Sequence, residues 1–252
     1  MTLWRLEWLR LIRTRRLMAL VGVYVLFGLI GPLTARYLGE IVSLAGGDLD
    51  GATIVFPPPV PADGMVQYVS NAMQIGTLVA VVVAAGSVAF DAVPEMGIFL
   101  RTRVARVERI LLPRVTVTIA AVVAAFVGGA LAAWYETWAL LGAPDTGSVL
   151  AGIACGALFL VFVVALVSAV SGRASSVLAT VAVSIVILLA LPIIGVVDRL
   201  GRWLPTHLAG ALGALPAGTT QPADYLGAAA VTLVLVVGLL RLATVSARRR
   251  EL

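Results

Sequence analysis

Six stretches of the chain contain no Asp, Glu, Lys or Arg, and they limit its fold more tightly than any motif does: residues 17–35, 64–90, 115–135, 146–172, 174–197 and 225–240. A helix crosses the hydrocarbon of a bilayer in about 20 residues. Five of the stretches suffice outright, and the sixth does once Arg241 snorkels from its end. Composition points the same way. With 61% of the 252 residues hydrophobic and 12% charged, there are too few polar side chains to clothe a water-facing shell. The sequence therefore predicts an all-α membrane protein with six transmembrane helices in a single domain, residues 1–252. The first stretch comes after "RTRR" as the apolar part of a signal peptide would. No small-residue cleavage site succeeds it and five more spans do, so it reads as a retained helix.

The same composition removes most chemistry. All 18 basic residues are arginine, so the lysine that a P-loop sets on nucleotide phosphates is missing, as is the amine of a Schiff-base enzyme. Cys155 is the single cysteine and His207 the single histidine, which leaves neither an intramolecular disulfide nor a His/Cys metal cluster to build. Cys155 reads as packing and His207 as a surface residue. The charge-free stretches hold none of the buried acids on which ion-coupled transporters depend. An intramembrane enzyme likewise has nothing from which to make a nucleophile and its base. No catalytic residue, metal ligand or cofactor of the chain's own is expected.

Arginine placement gives an orientation, because positively charged loops stay on the cytoplasmic side. With the N-terminus inside, fifteen arginines face the cytoplasm and only Arg36, Arg199 and Arg202 face out. An even number of spans brings both termini to the cytoplasm. Residues 1–16, "MTLWRLEWLRLIRTRR", set Met1, Trp4, Trp8, Leu11 and Ile12 along one helical face with the arginines mostly on the other. That is the pattern of an amphipathic helix lying in the membrane interface; the alternative is that these arginines only set orientation. The loop after the first span is acidic and ends in a stiff proline run. "SGRASS" is short enough to make the fourth and fifth helices antiparallel neighbours. Residues 198–224, apolar but broken by Pro205 and Pro216, read as an outer re-entrant segment or short surface helix. Glu136, after "WY", reads as an interfacial anchor.

Two features carry candidate sites. On the second span Gln67, Ser70, Asn71, Gln74 and Thr77 recur at helical spacing. Amides facing lipid tails would lose hydrogen bonds at several kcal/mol each, so this stripe faces protein or water. It either lines a transport path or bonds neighbouring helices together. The second feature is "DAVPEMGIFLRTRVARVERILLPR", residues 91–114, which concentrates three acids and five arginines between two apolar spans.

Within that loop "PEMGIFL" places an acid, Glu95, two residues before Gly97 and a short apolar run; "TRVAR" adds a basic element, and "ERILLPR" leads into the third helix. Together with six spans, inside termini and an amphipathic first helix, this arrangement resembles the permease subunit of ABC transporters of the ABC-2 type, which have a type V exporter-like fold. Val104 departs from the pattern, standing where the family commonly has proline. The resemblance implies that residues 91–114 form a cytoplasmic coupling loop. Met96, Ile98 and Phe99 would fill a cleft on a partner, and Asp91, Glu95, Arg101 and Arg103 would give the polar rim, with Gly97 and Arg106 completing the matched motifs. The other reading of the loop is that its arginines only enforce topology. The resemblance further implies two ATP-binding subunits that carry ATP and Mg, a second permease subunit, identical or related, and contact with membrane lipid but not nucleic acid. It places the chain in a bacterial inner (plasma) membrane, not itself an enzyme, exporting a hydrophobic or amphipathic substrate such as a drug, peptide or lipid. The alternative is a non-transporting scaffold or sensor subunit that docks on an ATPase.

Overall fold

A computed structural model describes residues 3–45, 57–88, 108–174, 176–196 and 198–249. Among these every regular element is a helix. A short α1 (Leu3–Arg13) precedes α2 (Arg16–Ala45), and α3 (Pro61–Asn71) continues through a π-helical segment, Ala72–Gly76, into α4 (Thr77–Val88). Then come α5 (Glu108–Leu140), α6 (Thr146–Ser171) and α7 (Val177–Ile194). Three one-turn helices succeed them, α8 (Asp198–Gly201), α9 (Pro205–Ala209) and α10 (Ala211–Ala214), before a 3-10 turn at Pro222–Tyr225 opens α11 (Leu226–Arg249). Six helices are long and apolar enough to cross a membrane: Arg16–Val42, Pro61–Val88, Leu111–Leu140, Thr146–Ser171, Val177–Ile194 and Pro222–Ala247. The chain is thus built as a multi-pass membrane protein, with the expected number of spans.

Local chemistry sets the helix ends. "VPAD" and "QPAD" open the second and sixth spans in the same way. Proline takes the first helical position, where its missing N–H costs nothing, and an aspartate reaches back to an orphan N–H. Asp63 accepts from Val60 N at 2.8 Å and Asp224 from Gln221 N at 2.8 Å. Asp145 and Ser176 cap α6 and α7, accepting from Ser148 N at 2.7 Å and Ala179 N at 3.1 Å. The hydrogen bonds from Ser148, through its side chain first and then its backbone, hold the Asp145 carboxyl below the usual range. Between α1 and α2 the chain turns at Arg15, which has φ 56°, a left-handed conformation costing a side-chain-bearing residue roughly 1–2 kcal/mol.

In a bilayer, helices associate through close packing and hydrogen bonds rather than by expelling water. The tightest approach here is between α2 and α5. A Cβ at Gly28 would strike the carbonyl oxygen of Gly129, and one at Gly129 would strike that of Tyr24. Tyr24, Tyr68 and Phe126 fill the centre of the first three spans, none with any exposed surface. Tyr68 Oη donates to the Phe126 carbonyl at 2.9 Å, and the Tyr24 ring meets Phe126 edge-on at 5.8 Å. Buried positions run the length of α6, which touches α4, α5, α7, α9, α10 and α11. The broken connection before α11 folds back into the bundle. Leu208, Ala211 and Leu212 are fully buried, and Gly152 of α6 gives Leu212 its place. By contrast α7 is peripheral, with only 11% of its spanning window covered by the rest of the described chain.

Candidate functional site

The predicted docking residues Glu95, Met96, Gly97, Ile98, Phe99, Arg101, Arg103 and Arg106 lie outside the described residues. The two legs of that loop, however, are in view. On the near side Arg16 Nη1 donates to Ser87 Oγ at 3.3 Å, its guanidinium lying over the bare backbone of Gly86. On the far side α5 begins at Glu108, so the end of the 91–114 stretch is already helical. Arg114, nearly two turns in, is buried and donates through Nε to Glu7 Oε1 of α1 at 2.9 Å. Arg10 Nη1 lies 3.6 Å from the other oxygen of the same carboxylate. Glu7 of α1 and Arg16 at the start of α2 therefore hold the two ends of the expected coupling segment.

This geometry refines the reading of α1. Its protein-facing side is Glu7 and Leu11, and Trp4, Trp8 and Ile12 point away from the chain. Leu11 therefore parts from the apolar face that helical spacing assigns it. The charge pattern places Arg114 among the topological arginines, whereas the structure gives it an ion pair. A signal for half of the pair is present in the sequence: Glu7 is the lone acid among the five arginines of residues 1–16. Nothing in the spacing points to a partner 107 residues away.

The polar stripe on the second span is not one continuous wall. Gln67 and Ser70 border a cavity of about 570 Å³ between the end of α2, the 57–59 proline run and the start of α3. Gln74 and Thr77 border a different cavity, also about 570 Å³, on the other side of the π segment. Asn71, between them, spends its amide on its own helix, Nδ2 donating to the Gln67 carbonyl at 3.1 Å. The cause is the wide turn at Ala72–Gly76. An extra residue in one helical turn rotates the remainder of the helix by about 100°, so the 3.6-residue spacing no longer holds across it. Asn71 supports the irregularity, since a side-chain amide on a backbone carbonyl competes with the helical ladder. Gly76 also leaves room for the ring of Tyr24, which a Cβ there would meet at 2.6 Å.

The second cavity lies among α4, α6, α7 and the α8–α9 connection. Met73, Phe159 and Leu188 give it an apolar body; Gln74, Thr77, Thr206 and His207 supply polar groups. Sequence alone gives His207 no role, yet here its ring stacks on Tyr225 at 4.7 Å while also bordering this space. Thr77 is buried, and its Oγ1 has no hydrogen-bond partner among the described residues. Glu136 stands at the far end of α5 with one carboxylate oxygen buried and likewise without a hydrogen-bond partner among them. No protein-family model matches the chain, and neither a curated protein nor a solved structure matches it.

Proposed function

We propose that the chain is the membrane-spanning permease subunit of an ATP-driven exporter of the ABC-2 type, working as one half of a pair above two separate ATP-binding subunits that carry ATP and Mg. It sits in a bacterial inner membrane with both termini cytoplasmic, and it moves a hydrophobic or amphipathic molecule. The supporting observation is the double attachment of the N-terminal segment formed by α1 and the first residue of α2. Arg16 holds the end of the second span and Glu7 the start of the third, so a push on the loop between them reaches three helices at once. A loop that served only to set topology has no need of such bracing.

The test is co-purification. In gentle detergent an ATPase subunit should travel with the chain, and Glu95→Lys should weaken that association by reversing the charge at the docking rim. Gln74→Ala and Thr77→Val should then lower export while leaving the complex intact. A stable complex whose ATPase activity ignores every cargo and both substitutions would select the second reading, a scaffold or sensor subunit. The break in the polar stripe favours that reading, because Gln67 and Ser70 do not share a cavity with Gln74 and Thr77.

A further inference from the structure

Seven hydroxyls along the spans share one habit. Thr34, Ser87, Thr116, Thr118, Ser168, Thr180 and Thr232 each donate to the carbonyl four residues earlier, at 2.6–3.0 Å. That bond is the standard way to keep a hydroxyl in an apolar helix. Thr77 breaks the habit although it is only 7% exposed. The π segment immediately before it explains how, since a wide turn carries the carbonyl of residue 73 out of line with the side chain four positions later. Ser184, fully buried on α7 one residue before a wall residue of the same cavity, also lacks a partner among the described residues. A buried hydroxyl left unpaired is costly, and Thr77 borders open space rather than packed side chains alone.

The space has the size of a small-molecule site, about 570 Å³ within the usual range of about 300–1,000 Å³. Among the described residues its wall contains no Asp, Glu, Lys or Arg. Two of its wall residues, Leu78 on α4 and Leu189 on α7, are 44% and 64% exposed, so the mouth opens sideways, out of the bundle. An ion entering here would leave water without a counter-charge, which the site cannot offset. A molecule with a hydrocarbon part and one uncharged hydroxyl, ester or amide meets no such barrier.

We propose that this cavity binds an uncharged amphipath within a single copy of the chain. Its apolar part lies against Met73, Phe159 and Leu188, and its polar group bonds Thr77 Oγ1 with help from Gln74. As a statement about cargo this rests on the transport reading; as a statement about binding it does not.

The test separates the two. Purified protein in phosphatidylcholine nanodiscs is photolabelled with three diazirine probes of equal chain length: a monoacylglycerol, a fatty acid at neutral pH and an alkyl-trimethylammonium. The monoacylglycerol should label peptides carrying Met73, Phe159 or Leu188, and unlabelled monoacylglycerol should compete. Thr77→Val should weaken that competition roughly five- to tenfold, the loss of one hydrogen bond. Leu188→Trp, which fills the space, should abolish it. Gln74→Leu lies on an open surface and serves as the second variant should Thr77→Val melt early. Equal labelling by the charged probes, or labelling spread over the lipid-facing sides of α2 and α11, overturns the proposal. Mass spectrometry of a solvent extract then distinguishes a resident membrane lipid, recovered in stoichiometric amount, from a cargo that washes out. Failure of any ATPase to co-purify would sink the transport reading and leave the site standing.

Discussion

Glu7 and Arg114 show how much a single residue carries here. Both are nearly buried at the end of the bundle where α1 meets α5, and their hydrogen bond is short and charge-assisted. Breaking a buried pair from one side strands the other charge, at about 3–5 kcal/mol. Arg10 also approaches Glu7. Arg114→Leu should therefore fall toward the low end of that range in thermal melting, and combining it with Glu7→Leu should recover part of the loss. Asp145 is a simpler case at the surface. Its carboxyl is held low by the hydrogen bonds at the α6 N-terminus, so the contribution of the cap is present at neutral pH and is lost as pH falls through that lowered value. Hydrogen-exchange protection factors at residues 146–149, which remove the intrinsic pH dependence of exchange, should fall on acidification in the wild type and stay low and pH-independent in Asp145→Ala. Asp145 is readable from sequence, as an aspartate directly before an apolar run. The Glu7–Arg114 pair is not, because its partners are far apart in the chain and meet only once the helices pack.

At the scale of elements, close backbone approach decides which helices pair. Gly128 and Gly129 are neighbours in sequence and indistinguishable there. A Cβ on Gly128 meets nothing within 4 Å, whereas one on Gly129 runs into the Tyr24 backbone. Gly128→Ala should leave the melting temperature in detergent unchanged or slightly raised. Gly129→Ala should lower stability by roughly 1–3 kcal/mol, because two backbones must part to admit one methyl group. The second span teaches the same lesson about period. Its polar residues are visible as a stripe because 67, 70, 71 and 74 obey helical spacing. The five-residue π segment that divides them has no sequence signature, being the joint product of an amide bonding backward at Asn71 and a ring seated over Gly76.

For the molecule as a whole, the uneven covering of its spans is the main fact. Spans two to four bury half or more of their windows within the chain, while spans one, five and six bury 28%, 11% and 22%. The thinly covered helices present their outer sides to the membrane. Orientation is testable at this scale. In a Cys155→Ser background, an impermeant thiol reagent added to intact cells should label Ala143→Cys and Thr219→Cys, at two inter-span connections, and should leave Arg248→Cys untouched until the membrane is opened. Labelling of Arg248→Cys in intact cells would reverse the topology and with it the coupling role of residues 91–114.

The amino-acid sequence alone determined that the chain lives in a bilayer, how many times it crosses, and where four of its spans begin. These properties come from the transfer energy of whole segments and from caps that act within four residues, both of them local. Tertiary structure alone decided that α1 and the first residue of α2 brace the two legs of the charged loop, that the polar stripe opens into two separate spaces, and that Thr77 is left without a partner among the described residues beside one of them. Each of these depends on which surfaces come within a few ångströms of one another, and identical residue types at identical spacing are compatible with many such arrangements.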